Sequence, residues 1–127
     1  MMKYAGIVLE KDERFLLQLR DMNNKTKNPD KWGIFGGGIK LNETPEKAAL
    51  REIKEELGIK LNEKDIKPIL KVGFGKWGYY IFKSNLQHDF KNIKLKEGKE
   101  MRFFSKKEIL KLRNIVPGMG IFFRIFV

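Results

Sequence analysis

Residues Gly37–Ile59 read GGIKLNETPEKAALREIKEELGI, and the second half of this stretch is typical of one amphipathic helix. Thr44 suits the N-cap, Pro45 suits the first helical position, and Gly58 follows Leu57 where a helix commonly ends. The residues between them are mostly strong helix formers. We therefore predict a helix from about Pro45 to Leu57, and we interpret the rest of the chain around it.

This helix would carry its acidic residues on one narrow arc. At about 100° per residue, Glu52, Glu55 and Glu56 are neighbours at spacings of three and four. A second arc carries the apolar residues that we expect to face a core, namely Leu50, Ile53 and Leu57. The carboxylates repel one another by a few tenths of a kcal/mol per pair, roughly, in water, whereas Mg²⁺ and Mn²⁺ prefer such oxygen ligands. The pattern indicates a divalent cation site; the alternative is a solvated acidic face.

The same stretch resembles the Nudix box, because its fixed residues stand at the spacings that this motif requires: Gly37, Glu43, Arg51, Glu52, Glu55, Glu56 and Gly58. The preceding segment WGIFGGG (32–38) is also similar to the segment that precedes the box in that superfamily. One difference is Phe35, which stands where proline is common. We expect this difference to change local stiffness or a substrate contact, and not the metal site.

The resemblance implies roles for individual residues. Mg²⁺, or Mn²⁺ in its place, would be held by the Gly36 carbonyl together with the carboxylates of Glu52, Glu55 and Glu56. Glu52 is the preferred general base, with Arg51 orienting it. Gly37, Glu43 and Gly58 are expected to be structural, with Glu43 bracing the loop or Arg51. In MutT-like relatives a further glutamate joins the metal cluster, and here Glu97 is preferred while Glu100 competes with it.

Substrate contacts are expected outside the helix. Arg20 resembles a family arginine that reaches substrate phosphate, a role that suits its planar fork; a solvated charge at a strand end is the alternative. The aromatic residues after the helix include a candidate base-stacking surface, with core packing as the alternative: Phe74, Trp77, Tyr79, Tyr80 and Phe82. From these we select Trp77, together with Arg20, Phe35 and Gly37, as substrate-binding residues.

The remaining sequence predicts strands and a second helix. The strands are Lys3–Glu10, Arg14–Arg20, Trp32–Phe35, Pro68–Phe74, Trp77–Lys83 and Met101–Phe104. Ser105 and Glu108 form a capping-box pattern for a helix to about Leu112, whereas the apolar tail 121–127 is left open between helix and strand. This order supports an α+β domain with a mixed sheet. The resemblance narrows it to the Nudix α/β/α sandwich, with the box as a strand-loop-helix.

Composition limits the remaining possibilities. The 127 residues fit one domain, 1–127, and the absence of cysteine excludes disulfides and thiolate metal sites. His88 is the only histidine and is expected to be a turn residue. No long apolar run and no signal segment is present, so we expect a cytoplasmic protein without a membrane partner. The formal charge of +11 attracts polyanions, but dispersed lysines equally suit solubility, and nucleic acid is not the favoured partner.

The resemblance implies Mg²⁺-dependent hydrolysis of a nucleoside diphosphate linked to a further group. The preferred substrate is a small-molecule nucleotide, namely a nucleoside or deoxynucleoside triphosphate. ADP-ribose, dinucleoside polyphosphates, nucleotide sugars and RNA 5′ ends stay open as alternatives. So does a non-catalytic nucleotide-binding module, whereas the missing cysteine argues against a prenyl diphosphate isomerase. Monomer and homodimer are both left open.

Overall fold

The computed structural model describes residues 2–20, 29–86, 93 and 100–127. Its strands are β1 (Met2–Lys11), β2 (Arg14–Leu19), β3 (Trp32–Gly33), β4 (Phe35–Gly38), β5 (Lys67–Phe74), β6 (Trp77–Asn85) and β7 (Glu100–Ser105). Its helices are α1 (Pro45–Leu57), α2 (Lys106–Lys111) and α3 (Met119–Phe126), and a 3₁₀ turn covers Glu63–Asp65. None of these helices is long and apolar enough to cross a membrane.

The described strands form one mixed sheet that divides along β1. Its main order is β3-β2-β1-β6-β5, with β4 also paired to β1 and β7 to β2. Residues 9–11 of β1 pair with β2, whereas residues 4–7 pair with β4. The β1–β6 pairing is parallel and the others are antiparallel. The predicted strand Trp32–Phe35 is therefore two strands, because the chain passes from β2 to β1 at Ile34.

Helices cover the sheet on both sides, as the predicted α/β/α sandwich requires. Ala5, Ile7 and Leu9 of β1 lie in a buried cluster with Ile53 and Leu57 of α1. The second cluster contains apolar residues of the sheet together with α2 and α3, including Val8, Leu17, Ile81, Ile109, Phe122 and Phe123. Alternation along the strands thus builds two cores. The sheet lies between these two cores. The first core holds α1 over the part of β1 where its pairing changes from β4 to β2.

The predicted bounds of α1 are confirmed by its caps. Thr44 Oγ1 accepts a hydrogen bond from the Lys47 amide at 3.1 Å, and Pro45 is the first helical residue. Gly58 adopts a left-handed conformation, with φ of 72°, and its amide donates to the Lys54 carbonyl at 2.8 Å. Glycine adopts this conformation without the steric cost that other residues incur. The structural role predicted for Gly58 is therefore present.

The other predicted elements are present with small shifts. The β5–β6 hairpin turns at Gly75–Lys76, and the reciprocal bonds of Ser105 and Glu108 cap α2. The apolar tail is helical, and α3 buries Phe122 and Phe123 while Ile121 remains exposed. The tail is therefore only partly buried, and it forms the outer layer over the second core.

Candidate active site

Glu56 is the charged residue that the fold buries most within the described residues, with 3% of its surface exposed. Its two oxygens are both held, because Gln18 Nε2 donates to Oε2 at 2.5 Å and the Gly36 amide donates to Oε1 at 2.9 Å. Burial raises the pKa of Glu56 to about 7; the charge of Glu52 adds to this effect, and the two hydrogen bonds oppose it. A carboxyl group with so strongly perturbed a pKa is a candidate for function.

The glycines before α1 make room for the acidic residues. A Cβ on Gly37 would lie 2.5 Å from Cδ and Oε1 of Glu52, so that carboxyl group rests against the Gly37 backbone. A Cβ on Gly36 would lie 2.4 Å from the Ala5 carbonyl oxygen. A side chain at position 36 would collide with the backbone of β1, whereas one at position 37 would displace the Glu52 carboxyl group. The space at these two glycines is therefore occupied by the protein's own atoms.

Arg51 connects the loop to the acidic face of α1. Its Nε and Nη2 donate to the two oxygens of Glu43 at 2.8 and 2.9 Å, and Nη2 also donates to the Gly38 carbonyl at 2.9 Å. Glu43 additionally accepts from the Lys40 amide at 2.9 Å, so both contacts predicted for Glu43 are made. The hydrogen bond from Arg51 lowers the pKa of Glu43 to about 2.

The same guanidinium offsets the crowding of negative charge. Arg51 Nη1 lies 2.8 Å from Glu52 Oε1 and 3.5 Å from Glu55 Oε2. A divalent cation is therefore not the only group that can offset the repulsion between these carboxylates, because Arg51 neutralises part of their charge. Among the described residues, no three acidic, histidine or cysteine side chains converge into a ready metal cage. The donor chemistry still suits a hard cation, since Glu52, Glu55 and Glu56 all offer carboxylate oxygens and the Glu55 side chain is 47% exposed.

Arg20 lies between the acidic residues and a pair of tyrosines. It follows the last residue of β2, and its backbone is held by hydrogen bonds with Asp30 and Lys31. Burial raises the pKa values of Glu56, Tyr4 and Tyr79, and the charge of Arg20 opposes this rise in all three, as expected of a guanidinium close to them. Nε of Arg20 is buried and has no hydrogen-bond partner among the described residues. The structure thus brings Arg20 close to the box, and its phosphate contact stays a prediction.

The prediction that Phe35 contacts substrate is wrong for its side chain. Phe35 is fully buried in the core below α1, because β4 pairs with Ile7 of β1 at this position. The aromatic residues predicted as a base-stacking surface also divide into buried and exposed ones. Phe82 belongs to the core and Tyr80 packs against it, whereas 62% of Trp77 is exposed. Trp77 therefore remains accessible to a ligand.

Two further predictions fall at the limits of the described chain. Glu97 and His88 lie outside the described residues. Glu100, the competing metal ligand, lies on β7 beside Leu19 and accepts a hydrogen bond from Arg102 at 2.6 Å. The structure thus gives Glu100 a partner other than the acidic residues of α1.

Sequence reasoning missed Gln18 and Tyr4. Gln18 is polar within the otherwise apolar strand segment FLLQL, and only 2% of it is exposed. Such an interruption is itself a signal, since a buried amide needs a polar partner. Tyr4 stacks on Tyr79 with ring centroids 5.0 Å apart, and its hydroxyl lies 2.5 Å from the position of a Cβ on Gly36. This contact depends on the β1–β4 and β1–β6 pairings.

A family model for the NUDIX domain matches residues 2–125. The chain belongs to the NUDIX domain family. This Nudix chain is similar in fold to a MutT NUDIX hydrolase from Burkholderia pseudomallei, with a TM-score of 0.77, 19% identity and coverage of 99% of this chain and 98% of that one. A MutT protein from Methanosarcina mazei gives a TM-score of 0.75 at 23% identity, with 98% and 91% coverage.

Curated relatives match this Nudix chain over shorter segments. A MutT-like protein of Streptomyces ambofaciens is 37% identical over 53% of this chain, and an RNA pyrophosphohydrolase of Stutzerimonas stutzeri is 42% identical over 50%. An 8-oxo-dGTP diphosphatase of Proteus vulgaris is 36% identical over 46%. The matched segments span 40%, 35% and 51% of those proteins.

Proposed function

We propose that this Nudix chain is a Mg²⁺-dependent hydrolase of phosphoric anhydride bonds in a nucleoside diphosphate linked to a further group. The preferred substrate is a nucleoside or deoxynucleoside triphosphate. The observation that carries the proposal is the buried Glu56, held by Gln18 and Gly36 beside Glu52 within an intact box. A fold rarely keeps a desolvated carboxyl group next to a like charge for stability alone.

Three carboxylates and one carbonyl are available for the cation. Glu52, Glu55, Glu56 and the Gly36 carbonyl would hold Mg²⁺, or Mn²⁺ in its place, with Glu97 as a further ligand by resemblance. The bound ion would neutralise phosphate charge and lower the pKa of a bound water. These groups lie on one face of α1 and on β4.

The chain's own residues bind the phosphates and move a proton. Arg20 would hold phosphate oxygens through its fork of donors. Glu52 would accept the proton of the attacking water, and Arg51 fixes the orientation of Glu52 through a 2.8 Å contact. The water oxygen bonds to phosphorus as the anhydride P–O bond breaks. A triphosphate then yields a nucleoside monophosphate and pyrophosphate.

Substrate choice depends on residues outside the box. The 8-oxo-dGTP diphosphatase relative acts, by its name, on a free deoxynucleoside triphosphate, which supports the preferred substrate class. The RNA pyrophosphohydrolase relative acts, by its name, on RNA, and the same residues of α1 would serve that reaction.

A phosphate-release screen tests the proposal. Wild-type protein with Mg²⁺ should release product from at least one nucleoside triphosphate, and excess chelator should abolish the release until Mg²⁺ is restored. Glu56→Gln should lower kcat/KM at least about tenfold, because it removes a charged ligand. Glu46→Gln is the matched control on α1, since Glu46 bonds the exposed Lys71 instead. If no substrate class reacts, or if both variants lose activity equally, the proposed site is wrong.

A further inference from the structure

Gln18 is a polar residue in the buried part of β2. Residues 15–19 of this strand are all buried, and Gln18 is only 2% exposed. Its backbone pairs with Gly33 of β3 on one side and with Met101 of β7 on the other. Because the strand is held at both edges and the side chain is buried, the amide of Gln18 has little freedom to move.

The side-chain amide of Gln18 fixes one oxygen of the Glu56 carboxyl group, and the backbone amide of Gly36 fixes the other. Gln18 Nε2 donates to Oε2 at 2.5 Å, and the Gly36 amide donates to Oε1 at 2.9 Å. These donors belong to β2 and β4, so two strands hold the carboxyl group. A carboxylate oxygen has two acceptor sites, and each of these hydrogen bonds uses one. One acceptor site on each oxygen therefore remains for a further ligand.

Glu56 differs from the other acidic residues of the box in the charge of its hydrogen-bond partners. Glu43, Glu52 and Glu55 each contact the guanidinium of Arg51. The hydrogen bonds to Glu56 come from two neutral amides instead. A neutral donor fixes the direction of a carboxylate without forming an ion pair with it. The negative charge of Glu56 thus stays available to a hard cation, which prefers carboxylate oxygens.

Stability alone gives little reason for this buried pair. Gln18 stands two residues after Leu16, which lies in the first core together with Ile53 and Leu57 of α1. Two apolar side chains at positions 18 and 56 would match these surroundings. Replacing both partners of a buried hydrogen bond by apolar groups is often nearly neutral for stability, whereas removing one partner is costly. The pair is therefore better explained by the role of Glu56 than by a contribution to folding.

We propose that Gln18 is a positioning residue, which holds the Glu56 carboxylate in the orientation that binds the divalent cation. This inference rests on the proposed function, in which Glu56 is a ligand of Mg²⁺. Gln18 touches neither the cation nor the substrate and acts only through Glu56. Without the Gln18 amide, the carboxyl group loses the donor to one of its two oxygens. Cation binding must then also order the Glu56 side chain, and it becomes weaker for that reason.

Mn²⁺ binding tests this role in the absence of any substrate. The probe is Mn²⁺ alone, and electron paramagnetic resonance measures the free ion in the presence of protein. Gln18→Met keeps the approximate length of the side chain and removes its donor, so it should weaken Mn²⁺ binding at least about tenfold. Gln18→His restores an N–H donor at a similar distance from the backbone, and its affinity should return to within about threefold of wild type. An affinity of Gln18→Met within about twofold of wild type overturns the proposal.

Two controls separate positioning from a general loss of stability. Leu17→Val removes a methylene group from the neighbouring residue, which lies in the second core, and should lower the urea midpoint while leaving Mn²⁺ affinity unchanged. The double variant Gln18→Met/Glu56→Gln should bind Mn²⁺ about as weakly as Glu56→Gln alone, because both changes act through one carboxyl group. Equal losses of affinity in Leu17→Val and Gln18→Met, or additive losses in the double variant, overturn the proposal. Should Gln18→Met not fold, Gln18→Asn takes its place with the same expected loss, since its amide is one methylene group farther from Glu56.

Kinetics separates this inference from the proposed function. In Gln18→Met, the Mg²⁺ concentration that gives half the maximal rate should rise about tenfold, whereas the KM for nucleoside triphosphate at saturating Mg²⁺ should stay within about twofold of wild type. Hydrolysis by Gln18→Met with the rate and the Mg²⁺ requirement of wild type refutes positioning by Gln18 and leaves the hydrolase intact. Mn²⁺ binding that depends on Gln18, without hydrolysis of any nucleotide, refutes the hydrolase alone. Failure of the wild-type protein to bind Mn²⁺ overturns the inference about Gln18, whatever the hydrolysis assay shows.

Discussion

Replacing Gly37 by alanine is expected to remove activity while the fold persists. The added Cβ would lie 2.5 Å from Cδ and Oε1 of Glu52, about 1 Å inside the ordinary contact distance of about 3.5 Å. The Glu52 carboxyl group must therefore move by about 1 Å and give up its 2.8 Å contact with Arg51. Misplacing a reacting group by that distance costs on the order of 100-fold in rate.

The stability effect of the same substitution should be small. The φ angle of Gly37 is not positive, so alanine fits its backbone. Replacing this glycine also reduces the conformational entropy of the unfolded chain. That gain, about 0.4–1 kcal/mol, offsets a lost contact of similar size. We expect the free energy of unfolding to change by less than about 1 kcal/mol, which urea denaturation measures.

Gly38→Ala is the matched control, because the nearest atom to its added Cβ is the Lys3 carbonyl oxygen at 3.9 Å. We expect kcat/KM within about twofold of wild type for Gly38→Ala and a loss of about 10–100-fold for Gly37→Ala. In a Glu52→Gln background, Gly37→Ala should add little, since both changes act through one carboxyl group. Full activity in Gly37→Ala, equal losses at both glycines, or additive losses in the double variant would refute this reasoning.

Two further substitutions test the contacts that position the acidic residues. Glu43→Gln should reduce the free energy of unfolding at pH 7 by about 1–2 kcal/mol, allowing for solvent around the pair, because Arg51 lowers the pKa of Glu43 to about 2. The stabilisation is complete above about pH 4.5 and is lost as pH falls toward 2, so urea titrations at pH 7 and pH 3 should show a smaller difference at pH 3. Gln18→Leu leaves Oε2 of the buried Glu56 without its donor and should cost about 1–3 kcal/mol at pH 7. A midpoint of urea unfolding equal to that of wild type would show that the Gln18 amide is not needed.

The parts of the fold that follow local rules were predictable from the sequence. Thr44 and Gly58 fix the ends of α1 through contacts within four residues, so its bounds follow from neighbouring side chains. The Ser105–Glu108 capping box fixes the start of α2 in the same way. The tail was not predictable, because IFFRIFV is apolar enough for either a strand or a helix. Its helix depends on the core face that Phe122 and Phe123 cover.

The sequence predicts which residues form the candidate site, but it does not predict how their side chains are arranged. The spacing of the box brings Glu52, Glu55 and Glu56 to one side of α1. Spacing alone does not distinguish the buried Glu56 from the exposed Glu55, because Glu56 is held by Gln18, 38 residues away, and by Gly36, 20 residues away. Spacing along the chain also does not show that Phe35 is buried, because its burial depends on the pairing with Ile7 of β1.

Two consecutive glycines connect the two carboxylates that matter most to the proposed reaction. The Gly36 amide donates to Glu56, and the missing Cβ of Gly37 leaves space for Glu52. One short strand therefore positions both side chains of α1, four residues apart, against a rigid sheet. Burial raises the pKa of Glu56 to about 7 there, whereas Glu52 is ion-paired with Arg51. The two carboxyl groups therefore occupy different environments on one face of α1, which is how neighbouring carboxyl groups take separate roles in catalysis.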